Sequence, residues 1–162
     1  MTPDIPALVR TLSTHDVDYI IVGGIAGALH GAARATYDLD VVYARTEANL
    51  ARLVSAVAPL HPYLRGAPAG LPFAFDAETL RRGLNFTLTT DLGDLDLFGE
   101  VIGGGSFEDL LPDTDVITVE GHAIRVLTLQ RLIATKRAAG RPRDHDALAE
   151  LEVLLEERHS AE

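Results

Sequence analysis

The sequence contains no cysteine, which excludes disulfides, thiolate metal sites and cysteine nucleophiles together. Any metal must therefore be held by oxygen or imidazole. Basic charge is also scarce: 14 Lys and Arg stand against 24 Asp and Glu, for a formal net charge of -10. Proteins that grip long nucleic acid through its phosphates carry a basic face that releases counterions, so duplex DNA is not an expected partner. A nucleotide or small molecule bringing its own metal fits the charge better, and a tRNA end would need a local basic patch. No stretch approaches the roughly 18 consecutive apolar residues that span a bilayer, and Asp4 stands where a secretory signal would carry basic charge. A cytoplasmic protein without membrane association is expected. Internal repeats and low-complexity tracts are absent as well.

What is present is a chain of 162 residues, 47% hydrophobic and 23% charged, long enough to bury a single core without staples. One domain over 1–162 is expected, with a flexible tail over 155–162. Ile5, Leu8, Val9 and Leu12 share one helical face, which predicts a helix ending near Thr14 and His15. Asp18 to Val22 reads as a short buried strand stopped by Gly23-Gly24, and Ile25 to His30 as a helix closed by Gly31. Asp38 to Tyr43 is the next strand. Thr46 opens a helix with Leu50, Leu53, Val54 and Val57 on its apolar face, ended by Pro59 and Pro62.

His61 to Pro72, rich in Pro and Gly, reads as loop, and Asp76 caps a short helix through Arg82. Leu84, Phe86 and Leu88 alternate with Asn85, Thr87 and Thr89 as a half-buried strand, and Gly93 turns the chain into Asp94 to Phe98 as an antiparallel hairpin. Gly103-Gly104-Gly105 reads as flexible loop; it lacks the lysine and hydroxyl of a P-loop. Val116 to Val119 and Ala123 to Val126 flank Glu120-Gly121-His122 as a second hairpin. Thr128 caps a helix with Leu129, Leu132 and Ile133 inward, and Gly140-Arg141-Pro142 separates it from a last helix near Asp144, which that aspartate would cap. The order of elements is that of a mixed α+β domain.

The chemistry concentrates at Gly23-Gly24, thirteen intervening residues, and Asp38-Leu39-Asp40-Val41-Val42. Strand residues two apart share a face, so Asp38 and Asp40 project together while Leu39 and Val41 point to the core. Two such carboxylates repel unless a cation lies between them, and a divalent metal shared with substrate phosphates meets that need. The plainer alternative is a pair of exposed strand-end residues. The preceding strand, diglycine and helix argue against it, because a glycine turn into a helix offers backbone N–H groups to an anion. Gly93-Asp94-Leu95-Asp96-Leu97 repeats the pattern, and a third carboxylate on a strand beside the first pair would complete a two-metal site.

These motifs resemble the nucleotidyltransferase superfamily: Gly23-Gly24-Ile25-Ala26 through His30-Gly31, Arg34 and Thr36, then Asp38-Leu39-Asp40, and later Gly93-Asp94-Leu95-Asp96-Leu97. Lys136 followed by Arg141-Pro142-Arg143-Asp144 is similar to a further element of the small bacterial branch that includes AbiEii-type toxins. The resemblance covers roughly Val22 to Leu151. It implies a nucleotidyltransferase-like fold, a twisted mixed β-sheet with helices packed on it and a C-terminal helical pair. It also implies Mg²⁺- or Mn²⁺-dependent transfer of a nucleoside monophosphate from NTP to an acceptor hydroxyl on an RNA end, a protein or a small molecule. Asp38 and Asp40 would hold the metal on the triphosphate, and Asp96 would bind a second metal or accept the acceptor's proton, with Asp94 as runner-up. Gly23, Gly24, Arg34 and Lys136 would contact phosphate.

The family's usual Ser after the first glycine is Gly24 here, so backbone groups must replace its hydroxyl. That departure keeps a second reading open: a catalytically weak nucleotide-binding or partner-binding protein of a toxin–antitoxin pair. A cognate antitoxin or toxin would then be the partner. His30 reads as packed or capping rather than catalytic, and His61, His122, His145 and His159 show no mutual metal-ligand spacing.

Overall fold

The computed structural model describes residues 2–161. In chain order its elements are α1 (Ile5–Thr14), β1 (Tyr19–Val22), α2 (Gly23–Leu29), β2 (Asp38–Tyr43), α3 (Glu47–Val57), β3 (Tyr63–Leu64), α4 (Ala77–Arg82), β4 (Asn85–Thr90), β5 (Gly93–Phe98), α5 (Phe107–Leu110), β6 (Thr114–Val119), β7 (His122–Leu127), α6 (Leu129–Ala139) and α7 (His145–Ala161). The strands form one mixed sheet in the order β3-β4-β5-β2-β1-β7-β6. β2 runs antiparallel to β1 and parallel to β5, and β1 runs parallel to β7. This is the expected α+β architecture with a C-terminal helical pair.

The helices start where side chains can satisfy their free N–H groups. Asp4 accepts from the Ala7 amide at α1, Thr46 from Asn49 at α3, Asp76 from Thr79 at α4, and Thr128 from Arg131 at α6. Each cap then delivers an apolar stripe to the core: Leu8, Val9 and Leu12 from α1, Leu50 and Leu53 from α3, Leu129, Leu132 and Ile133 from α6. The β6–β7 hairpin turns on Glu120 and Gly121, both at positive φ (52° and 76°), the backbone that matches the twist of two adjoining strands.

Alternation divides the two central strands between core and cleft. Leu39 and Val41 on β2 and Leu95 and Leu97 on β5 are fully buried, and the aspartates between them face the other way. α1, α3 and α4 pack together behind the apolar side, whereas α2, α6 and α7 stand on the aspartate side. Asn49, wholly buried, ties the start of β1 to the end of β2: its carbonyl accepts the Asp18 N–H at 2.7 Å, and its amide donates to the Asp18 and Ala44 carbonyls at 3.0 and 2.7 Å.

Several expectations change. The stretch from His61 to Pro72 is not all loop, because Tyr63 pairs with Thr89 and Leu64 with Leu88 to make the edge strand β3. α2 begins at Gly23 rather than Ile25. The triglycine is a closed turn in which Val101 bridges Gly105 and Arg131 donates to the Gly104 carbonyl. α7 continues as helix through Ala161, over most of the stretch read as a flexible tail, and Arg158 near its end donates to His30. Asp144 turns its carboxylate to Arg141 at 2.8 Å and to Lys136 at 3.9 Å. No helix among the described residues is long and apolar enough to cross a membrane.

Candidate active site

The parallel register of β2 and β5 sets Asp38 opposite Asp94 and Asp40 opposite Asp96. Because side chains alternate, all four carboxylates emerge on one face. Those of Asp38, Asp40 and Asp96 converge, each offering an oxygen within 4.8 Å of the others. Gly23, at the end of β1, allows that approach: its φ is +67°, and a Cβ there would lie 2.2 Å from Asp40 Oδ2. Only glycine combines the positive φ with the missing Cβ.

The electrostatic cost of this grouping falls on Asp40. Burial, then the charges of Asp38 and Asp96, push its pKa up to about 9. Its Oδ1 is buried and has no hydrogen-bond partner among the described residues. Burial also raises Asp96, opposed by the hydrogen bond and charge of Arg65. Converging hard oxygen donors, one of them buried and without a donor of its own, form a set short of positive charge, and the chemistry fits a divalent ion such as Mg²⁺ or Mn²⁺.

Sequence reasoning missed Arg65. Its backbone N–H bonds to the Thr87 carbonyl, which fixes it beside β4. From there Nη2 reaches Asp96 Oδ1 at 2.5 Å and the Leu88 carbonyl at 2.8 Å, while Nε lies 3.2 Å from Asp94 Oδ2. No local signal identifies it, because the stretch that carries it becomes a strand only by pairing with β4.

The remaining expected residues line two cavities, of which one contains Asp40. Gly23, Gly24, Arg34, Thr36, Lys136 and Glu150 line a cavity of about 110 Å³. A second cavity, of about 190 Å³, is lined by Gly23, Asp40, Asn85, Phe98, Ile102 and Lys136 among others. Gly23 and Lys136 thus stand between the two. Lys136 is largely covered, its side chain 17% exposed beside Asp144, which differs from a solvated helix-end charge. Arg34 is half exposed and 3.8 Å from Glu150. A Cβ on Gly24 would lie 2.5 Å from Thr36 Cγ2, so the threonine methyl fills the space that a serine at 24 would need. His30 is packed as expected, donating Nε2–H to the Leu127 carbonyl and accepting Arg158 at Nδ1. A larger cavity of about 320 Å³, lined by Ser13, Asp18, Tyr19, Phe107, His122 and Arg125, lies at the opposite end of β1 and contains none of the converging acids.

No protein-family model matches the sequence, and no curated protein does. Solved structures do match in shape. A nucleotidyltransferase candidate from Thermotoga maritima superposes with a TM-score of 0.57 at 15% identity, over 90% of this chain and 88% of its own. The antibiotic-resistance factor ANT(2'')-Ia gives 0.54 at 14% identity, over 99% and 96% of the two chains. An antigenic nucleotidyltransferase-like protein from Paracoccidioides brasiliensis gives 0.54 at 16% identity, over 93% and 72%. At these identities the likeness is one of architecture, and the chain has the nucleotidyltransferase-like fold.

Proposed function

We propose that this protein transfers a nucleoside monophosphate from NTP to an acceptor hydroxyl, with release of pyrophosphate. The observation that carries the reading is the convergence of Asp38, Asp40 and Asp96 within 4.8 Å, with a buried oxygen of Asp40 unpartnered. Asp38, Asp40 and Asp96 would hold a divalent ion. Bound there, Mg²⁺ or Mn²⁺ supplies neutralisation of the triphosphate and acidification of the acceptor hydroxyl.

The chain's own groups account for the rest. Lys136 and Arg34 bind phosphate oxygens from the cavity they share with Gly23 and Gly24. Gly23 leaves room for the Asp40 carboxylate to sit against the end of β1. The second cavity, with Asn85, Phe98 and Ile102 in its wall, receives the nucleoside or the acceptor. Asp96, the acid that Arg65 contacts, would either complete the metal site or accept the acceptor's proton. The AbiEii-type branch, and a toxin role with an antitoxin partner, rest on the Lys136 and Arg141–Asp144 element. A weakly catalytic nucleotide-binding protein is the second reading, favoured by the absence of a hydroxyl at Gly24.

Thermal unfolding of wild type and the Asp38→Ala/Asp40→Ala variant with each of the four NTPs, with and without Mg²⁺, tests the site, since a ligand bound to the folded state alone raises stability. A metal-dependent upward shift with an NTP, lost in the variant, supports the transferase and names the donor for acceptor screens. No shift with any NTP in folded protein overturns it.

A further inference from the structure

We propose that Arg65 is the resident counter-cation of the acidic cluster, a positioning residue that an incoming divalent ion displaces from Asp96, and that Asp94 is the carboxylate that keeps hold of it. This rests on the metal site proposed above. The charge count motivates it: Asp38, Asp40, Asp94 and Asp96 share one face, and Arg65 is the cation in direct contact with that group. Lys136 and Arg141, cations in the wall of the cavity that holds Asp40, are both engaged by Asp144.

The geometry gives the guanidinium two stations. At the first, Nη2 is bonded to Asp96, one of the converging ligands. At the second, Nε lies within ion-pair distance of Asp94, which is outside the converging set. That second contact is incomplete, because Nε is a buried N–H without a hydrogen-bond acceptor. A small swing from Asp96 towards Asp94 would give it one, at the moment Asp96 turns to the metal. The Arg65 backbone stays anchored on the Thr87 carbonyl, so the move is one of the side chain alone, and it loosens the Nη2 bond to the Leu88 carbonyl. The swing is cheap in solvation: the Asp94 side chain is 38% exposed against 14% for Asp96, so the arginine moves towards water. A divalent ion and a guanidinium on the same carboxylate repel each other, so occupancy of one station by metal favours the other for Arg65.

The test is Mn²⁺ titration followed by electron paramagnetic resonance of the free ion, on wild type, Arg65→Gln, Asp94→Asn and the double variant. Arg65→Gln removes the competing cation and should tighten Mn²⁺ binding by about two- to fivefold, the range of a partly exposed ion pair. Asp94→Asn removes the second station and should weaken it, and that weakening should largely vanish in the Arg65→Gln background. Unchanged or weaker binding in Arg65→Gln overturns the proposal. So does an equal loss from Asp94→Asn in both backgrounds, which would mark Asp94 as acting through its charge alone. No Mn²⁺ binding by wild type overturns the metal site itself and this proposal with it. If Arg65→Gln fails to fold, Arg65→Lys keeps the charge and loses the planar fork; a smaller tightening then supports the proposal and none overturns it.

Discussion

Gly23 and Asp40 are in such close approach that a single methyl on the glycine would lie 2.2 Å from Asp40 Oδ2. Gly23→Ala should therefore cost stability twice, through its φ of +67° and through displacement of the carboxylate. The expected loss is on the order of 1–3 kcal/mol in chemical denaturation, together with loss of the Mg²⁺-dependent NTP shift. Retention of that shift would mean that Asp40 need not stay where Gly23 allows it.

The neighbouring glycine answers to a different residue. Restoring a hydroxyl with Gly24→Ser should destabilise the protein by about 1–3 kcal/mol, because the new Cβ meets Thr36 Cγ2. Adding Thr36→Ala should recover most of that loss. Denaturation midpoints of the two single variants and the double variant decide it, and additive losses would show that the two positions do not compete for the same space.

Asp40 carries the pH dependence. Its pKa in the folded protein is raised to about 9 by burial and by Asp38 and Asp96, above the value of about 4 expected in the unfolded chain. The folded state therefore holds the proton longer than the unfolded state. This contribution is fully present below about pH 4 and is lost progressively as pH rises towards 9. Metal-free protein should thus lose thermal stability over that interval, and Asp40→Asn should flatten the loss and raise Tm at pH 8 while removing metal-dependent NTP binding. A gain of even about 1 kcal/mol corresponds to roughly 2–4 °C for a chain of this size. A variant less stable than wild type at pH 8 would contradict the shift.

Asn49 tests the scaffold away from the site. Asn49→Ala removes the bonds that hold the Asp18 N–H and the buried Ala44 carbonyl, and leaves the Asp18 carbonyl only its bond from the Ala44 N–H. The expected cost is about 2–4 kcal/mol in urea denaturation. Below its lowered melting range the variant should still show the NTP shift, since Asn49 joins the ends of β1 and β2 remote from Asp38 and Asp40.

Much of the local structure was legible before any coordinates. The alternation of Asp38, Leu39, Asp40 and Val41 set β2, the caps at Thr46, Asp76 and Thr128 set three helix starts, and Asp94 to Phe98 formed the expected hairpin with β4. Each depends on residues a few positions apart, where backbone geometry is decided by neighbours. The pairing of β2 with β5 was expected from chemistry, since two acidic strands have a reason to meet at a cation.

Arg65, β3 and the contest between Gly24 and Thr36 were not legible in that way. Leu64 and Arg65 acquire their positions from Leu88 and Thr87, more than twenty residues along the chain, and nothing near them signals a strand. Sequence by itself determined which strand face each aspartate takes, because a period of two is a property of the extended chain. Tertiary structure alone decided which cation reaches those aspartates and which glycine tolerates a side chain, because both are distances between segments that meet only when the sheet closes.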